Sequence, residues 1–142
     1  MAYQGQCACG AVTATIPAEP VTVRQCWCRD CQRISGGGPT HNAIFPVEAV
    51  VLKGELGSHG HTAASGNTLT KHYCLSCGTP VYATSSARMH LQTFRLGFLA
   101  DGHGLRPSAA IWTDSAPDWA YIDPTLEQWA AQPPAPAMPP QD

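Results

Sequence analysis

Seven cysteines stand in three short clusters: Cys7-Ala8-Cys9, Cys26-Trp27-Cys28-Arg29-Asp30-Cys31 and Cys74-Leu75-Ser76-Cys77. Thiols one or two residues apart, returning in groups along one chain, suit a metal far better than a disulfide framework. The count is odd and the clusters are unequal. Four thiolates close a tetrahedral zinc, and the remaining three bind zinc while leaving one position free. Closed sites hold folds together and open ones do chemistry. The count by itself therefore predicts one structural and one reactive zinc.

A chain of 142 residues reads as one domain able to bury roughly two-thirds of its unfolded surface. Charged residues make up 13%, low against a typical ~25%. With 13 Gly and 13 Pro, this points to a turn-rich, mainly β protein with few long surface helices. The formal net charge is -2 and no Lys/Arg block occurs, which removes the electrostatic footprint of a nucleic-acid binder. A small diffusible substrate fits better. No run approaches the ~18 apolar residues that span a membrane, and Met1–Gly10 lacks the pattern of an export signal. The expected location is cytoplasmic, where thiols stay reduced and clustered cysteines serve metals.

Val12, Ala14 and Ile16 alternate with Thr13 and Thr15, as in a half-buried strand. Val21 and Val23 open a second strand that runs into Cys26. Cys28 to Ile34 is compatible with one helical turn, closed by Gly36-Gly37-Gly38-Pro39. His41–Pro46 and Val50–Lys53 read as short strands, and the glycine-bearing stretch Gly54–Gly66 as a loop or hairpin end. Leu69–Tyr73 and Pro80–Ala83 flank the last cysteine pair as the two strands of a zinc-ribbon-like knuckle. Leu91–Leu99 is the strongest two-residue alternation, and Ala109–Thr113 is a further strand. Asp123-Pro124 has the form of a helix start and predicts a short C-terminal helix through Leu126 and Trp129. The expected organisation is a single zinc-binding domain over residues 1–131 and a Pro-rich tail over 132–142.

Two groupings of the thiols are compatible with their spacing. Cys28 and Cys31 pair with Cys74 and Cys77 as an ordinary ribbon, or Cys7 and Cys9 join Cys74 and Cys77. The second leaves Cys26, Cys28 and Cys31 as a three-thiolate site and uses all seven thiols.

Gly5-Gln6-Cys7-Ala8-Cys9-Gly10-Ala11-Val12, followed by Cys26-Trp27-Cys28-Arg29-Asp30-Cys31-Gln32-Arg33, resembles the glutathione-dependent formaldehyde-activating (S-(hydroxymethyl)glutathione synthase-like) family. Tyr73-Cys74-Leu75-Ser76-Cys77-Gly78-Thr79-Pro80, Leu96–Asp101 and Ile111–Trp119 continue the pattern in order, over about residues 3 to 130. The resemblance implies Mss4-like packed antiparallel sheets. It also implies the second grouping, with Cys7, Cys9, Cys74 and Cys77 on a structural zinc and Cys26, Cys28 and Cys31 on a catalytic zinc. Two Zn2+ per chain follow. Trp27 stands where relatives often have His, and Ala110 where they often have His before the Ile-Trp pair.

The activity so implied is that of a carbon–sulfur lyase or synthase, moving a small, formaldehyde-like aldehyde on and off glutathione or a similar small thiol. Cys26, Cys28 and Cys31 would be its catalytic residues. Glutathione carries two carboxylates, which planar guanidinium forks suit. Arg24, Arg29 and Arg33 all lie within three residues of an expected ligand. Arg33, placed by the resemblance, is the first expected substrate-binding residue, with Trp27 and Gly36 beside the trio. A non-catalytic zinc-binding interaction module of the same fold is the competing class, and a redox thiol within the trio is a weaker one. Neither a nucleic acid nor a membrane is an expected partner, while apolar edge strands would permit a homodimer.

Overall fold

In a computed structural model, residues 2–63 and 65–138 are described. Two sheets carry the fold. The smaller contains β1 (Tyr3–Gln6), β2 (Thr13–Ile16) and β5 (Val51–Lys53), antiparallel in the order β1-β2-β5. The larger has eight strands. Its first members are β3 (Thr22–Cys26), β4 (Thr40–Pro46), β6 (Leu56–Thr62) and β7 (Thr68–Cys74). The others are β8 (Pro80–Ser85), β9 (Leu91–Arg95), β10 (Ala109–Ile111) and β11 (Glu127–Gln128). Their spatial order is β11-β10-β3-β4-β9-β8-β7-β6, antiparallel except where β10 runs parallel to β3 and β11. Among the described residues, no helix is long and apolar enough to cross a membrane.

Alternation decides which side chains meet between the sheets. Ala14 and Ile16 of β2 point inward while Thr13 and Thr15 stay half-exposed. They meet Val23, Ala43, Phe45 and Phe94 of the larger sheet in one buried cluster. Phe45, Phe94 and Phe98 form its aromatic spine, with centroids 6.0 Å apart at each step. The small sheet is tied to the chain that follows β9 where Gly5 bridges to Leu99. Any Cβ on Gly5 would overlap the Phe98 ring, so the close approach depends on glycine there.

The single α-helix among the described residues, α1 (Arg29–Ser35), is internal. Cys28 caps it, its Sγ accepting from the Cys31 amide at 3.2 Å, and Gly36 closes it in the left-handed region (φ 83). The expected C-terminal helix does not form. The Asp123 carboxylate accepts from the Thr125 amide (2.9 Å) and hydroxyl (2.7 Å) in a tight turn instead of capping a helix. The chain after it is drawn into the open edge of β10: Glu127 N donates to Ser108 O and Trp129 N to Ala110 O. Sheet hydrogen bonds to an exposed edge thus outweigh a helix too short to be stable by itself.

Two further expectations sharpen. Of the loop or hairpin end expected over Gly54–Gly66, the hairpin end forms: β6 pairs with β7 from Leu56↔Cys74 to Thr62↔Thr68, and the turn follows Thr62. The Tyr73 ring lies over Gly57, where a Cβ would collide with it, so that glycine makes room for an aromatic instead of a turn. The run Leu91–Leu99 splits into β9 and a 3-10 turn at Leu96–Phe98. The turn brings Phe98 to the same core as Phe94.

Replacing Gly5 with Ala should lower folding stability by about 1–3 kcal/mol through forced displacement of Phe98. The check is a lower denaturant midpoint at unchanged m-value.

Candidate metal centres and the adjoining cavity

The seven thiols gather into two groups: Cys7, Cys9, Cys74 and Cys77, and Cys26, Cys28 and Cys31. Within each group the ligand atoms lie within 4.8 Å of one another. All seven are free of disulfides. Of the two groupings that spacing allowed, the fold therefore adopts four plus three.

Chain geometry explains the quartet. Cys7 follows β1, and Cys74 ends β7 just before the turn into β8. Cys9 Sγ lies 3.7 Å from Cys7 Sγ and 3.8 Å from Cys74 Sγ. A tetrahedron with metal–sulfur bonds of ~2.3 Å has edges of about 3.8 Å, so this donor set fits a zinc ion. The amide of Val12 donates to Cys7 Sγ (3.2 Å) and that of Cys77 to Cys74 Sγ (3.5 Å). Ala8 N donates to Thr79 Oγ1 at 3.1 Å, joining the two knuckles directly. The Thr79 hydroxyl, first among several hydrogen-bond donors, holds the Cys77 thiol down to about 5.

The trio is built at one end of a strand. Cys26 closes β3, Cys28 caps α1, and Cys31 sits in the first helical turn. Behind it lie Ile111, Trp112 and Trp129. Hydrogen bonds from the Cys26 and Cys31 thiols converge on Cys28 and hold it down to about 2. Those same bonds, together with burial, push Cys26 far above the usual thiol range. Close packing of the three sulfurs thus favours the thiolate at Cys28 and opposes it at Cys26. A soft divalent cation would let all three ionise, so the donor set fits zinc here as well.

The trio opens into a cavity of about 190 Å³ on the face of the large sheet turned away from the shared core. Alternation places Arg24 on the same side of β3 as Cys26. The cross-strand register continues that row through Asn42 of β4 to Arg95 of β9. Arg95 donates to Asn42 Oδ1 at 2.6 Å. Arg88, from the β8–β9 connection, also lines the cavity, as do Trp112, Gln132 and Pro136. Asp30 lines it too and is held by Lys71 at 2.6 Å. Burial, and next the positive charge of Arg88, disfavour the charged form of Arg24.

Trp27, Arg33 and Gly36 are not among the residues lining this cavity. Arg33 and Gly36 are exposed, and Trp27 is buried with its indole N–H on Gln25 Oε1 at 2.9 Å. Gln25 Nε2 in turn lies 3.1 Å from His41 Nε2. Gln25 and Trp27 alternate with Arg24 and Cys26, so that network sits behind the sheet. Ala110 is fully buried in β10.

Several residues around the site carry no signal of their own in sequence. Gln32 is 4% exposed. Its Nε2 donates to Trp27 O (2.7 Å) and Ser115 O (2.9 Å), and its Oε1 accepts from Arg29 (2.7 Å). It fastens α1, and with it Cys28 and Cys31, to the chain beyond β10. Trp112 adopts φ 57, the left-handed region, which costs a bulky residue roughly 1–2 kcal/mol. Its indole N–H donates to Gln132 Oε1 at 3.0 Å, closing the cavity wall with chain from beyond β11. A polar residue inside a cysteine motif was the only available hint of Gln32. Arg88 and Arg95 become site residues only once the strands pair.

These features define a mainly β, two-sheet protein with one closed and one open thiol cluster. A model of the glutathione-dependent formaldehyde-activating enzyme family matches residues 2–115, and the chain belongs to that family. A crystal structure of a Rhodobacter sphaeroides protein is similar in fold, with a TM-score of 0.57 at 17% identity. That likeness covers 89% of this chain and 98% of the other. No curated protein matches the chain. The cavity wall formed by Gln132 and Pro136 lies beyond the residues matched to the family.

Replacing Gln32 with Leu would leave two inward-facing carbonyls without their donor. We expect a loss of about 1–3 kcal/mol of stability, read as a lower midpoint in chemical denaturation.

Proposed function

We propose that this chain is a zinc-dependent carbon–sulfur lyase or synthase that adds a small aldehyde, such as formaldehyde, to a glutathione-type thiol or removes it. The carrying observation is the contrast between the two thiol clusters. Four sulfurs complete a coordination shell between the sheets, whereas three sulfurs border a cavity. Family membership supports the same reading.

Cys7, Cys9, Cys74 and Cys77 would hold a structural zinc, and Cys26, Cys28 and Cys31 a catalytic one. Held by that trio, it would supply the Lewis acidity that favours the thiolate form of the substrate thiol. In the synthase direction the S–H bond and the carbonyl π bond are lost while C–S and O–H bonds form, so no oxidant is needed. The protein's part is to position and to shield. Cys28, fixed at the helix cap, and Cys26, fixed by the β3–β10 pairing, set the direction from which sulfur approaches. Ile111, Ile44 and Leu91 give the cavity an apolar side that limits water around the aldehyde. We place the protein in a reducing, cytoplasmic setting, where all seven thiols remain available to metal.

Metal analysis of the purified protein should find two zinc ions per chain, one of them released sooner by a chelator. With glutathione and formaldehyde, S-(hydroxymethyl)glutathione should appear faster than in the spontaneous reaction. Cys28→Ser should reduce that rate to background while the four-thiol zinc stays bound. Turnover that survives complete removal of metal would refute the zinc chemistry, and a single tightly held zinc would favour a non-catalytic module.

A further inference from the structure

The cavity beside the trio has a charge pattern that the thiol clusters do not explain. Three of the chain's six arginines, Arg24, Arg88 and Arg95, line it, although the protein as a whole has a net charge of -2. Only one lining residue is acidic, Asp30, and its carboxylate is already bound by Lys71 at 2.6 Å. Among the described residues, no arginine forms a salt bridge; Lys71–Asp30 is the one ion pair.

The three guanidinium groups are not equivalent. Arg95 is committed to the sheet, donating to Asn42 Oδ1 at 2.6 Å and reaching Thr40 Oγ1 at 3.5 Å. Arg24 has one long contact, at 3.5 Å, to the carbonyl of Pro134. Arg88 bonds through its backbone alone, with Ser85 and Leu91, leaving its fork without a partner among the described residues. Glu127 lies close enough to Arg24 to favour its charge, but its carboxylate accepts from Trp129 Nε1 at 2.7 Å. Two half-buried arginines thus share one cavity without a bound carboxylate between them. Such a pair is costly unless an anion joins it, because each charge is partly desolvated and repels the other.

We infer that Arg24 and Arg88 anchor two carboxylates of the substrate thiol, so that the cavity selects a dicarboxylate thiol over a neutral one. The inference rests on the thiol–aldehyde reading above and names the residues that give it specificity. A guanidinium fork binds a carboxylate through two parallel N–H···O bonds. Arg24 lies two residues from Cys26 on the same face of β3, while Arg88 enters from the β8–β9 connection. A ligand whose two carboxylates reach both would present the thiol it carries between them towards the trio. Arg95, held by Asn42, adds positive potential without supplying a free fork. The Gln132–Pro136 wall stands beside Arg24, so chain beyond the matched region shares in shaping this end.

S-methylglutathione separates recognition from chemistry, since it carries both carboxylates but no free thiol. Measured by isothermal titration calorimetry on the zinc-loaded protein, Arg24→Gln and Arg88→Gln should each weaken its binding by about ten- to a hundredfold. Arg→Lys at either position should fall between, keeping charge but losing the fork. In turnover, the preference for glutathione over 2-mercaptoethanol, taken as a ratio of kcat/KM, should drop by a similar factor, mainly through KM. Should Arg24→Gln fold poorly, Arg88→Gln carries the test alone. Equal affinity of folded variants and parent for S-methylglutathione would overturn the inference, as would failure of the parent to bind it. If the parent binds it through these arginines yet shows no thiol–aldehyde turnover, the anchors stand and the proposed reaction falls.

Discussion

The meeting of Cys7 and Cys9 with Cys74 and Cys77 is the contact on which the rest of the molecule depends. It joins the end of β1, in the small sheet, to the turn between β7 and β8 at the far side of the large one. Buried apolar side chains supply most of the driving force between the sheets, but such forces have no direction. Four sulfurs within 4.8 Å of one another impose a direction and a distance. The Ala8–Thr79 hydrogen bond and the bridge from Gly5 to Leu99 then have one register in which to form. Once the small sheet is seated, the Phe45–Phe94–Phe98 stack is closed to water and the opposite face of the large sheet is left to serve as the site.

That division of labour between the two faces of one sheet explains why the cavity is both rigid and polar. Phe94 and Arg95 are neighbours in sequence, yet one belongs to the core and the other to the cavity. The same is true of Val23 and Arg24, and of Ala43 and Asn42. The core side holds each strand in place through close packing. The cavity side can then carry charge without having to contribute much to cohesion.

The cysteine spacing made each knuckle legible because ligands within it are local, but it left open which knuckles meet. The family resemblance carried the four-plus-three grouping that the fold adopts. The strands around the last pair were legible for a related reason, as alternation is a local signal. Asp123-Pro124 misled because its capping side chain serves a turn equally well, and the deciding factor was the open edge of β10, remote in sequence. Gly57 carried no sign of a strand because a glycine beneath Tyr73 has the same letter as a glycine in a loop. Arg88 and Arg95 were invisible as site residues, since four strands must pair before they face Cys26. Arg33 was expected from the resemblance, and Trp27 and Gly36 from their place beside the trio. Arg33 and Gly36 are exposed, Trp27 is buried, and none of the three lines the cavity.

The unequal span of the two thiol clusters has a bearing on how the protein is made. Cys28 and Cys31 are three residues apart, whereas Cys9 and Cys74 are separated by 65. On a growing chain the trio is complete early, but the quartet must wait until the β7–β8 turn has left the ribosome. The N-terminal thiols therefore wait through about half of the chain's synthesis for their partners. A metal taken up there would fix the small sheet against the β7–β8 turn before β9 and β10 are made.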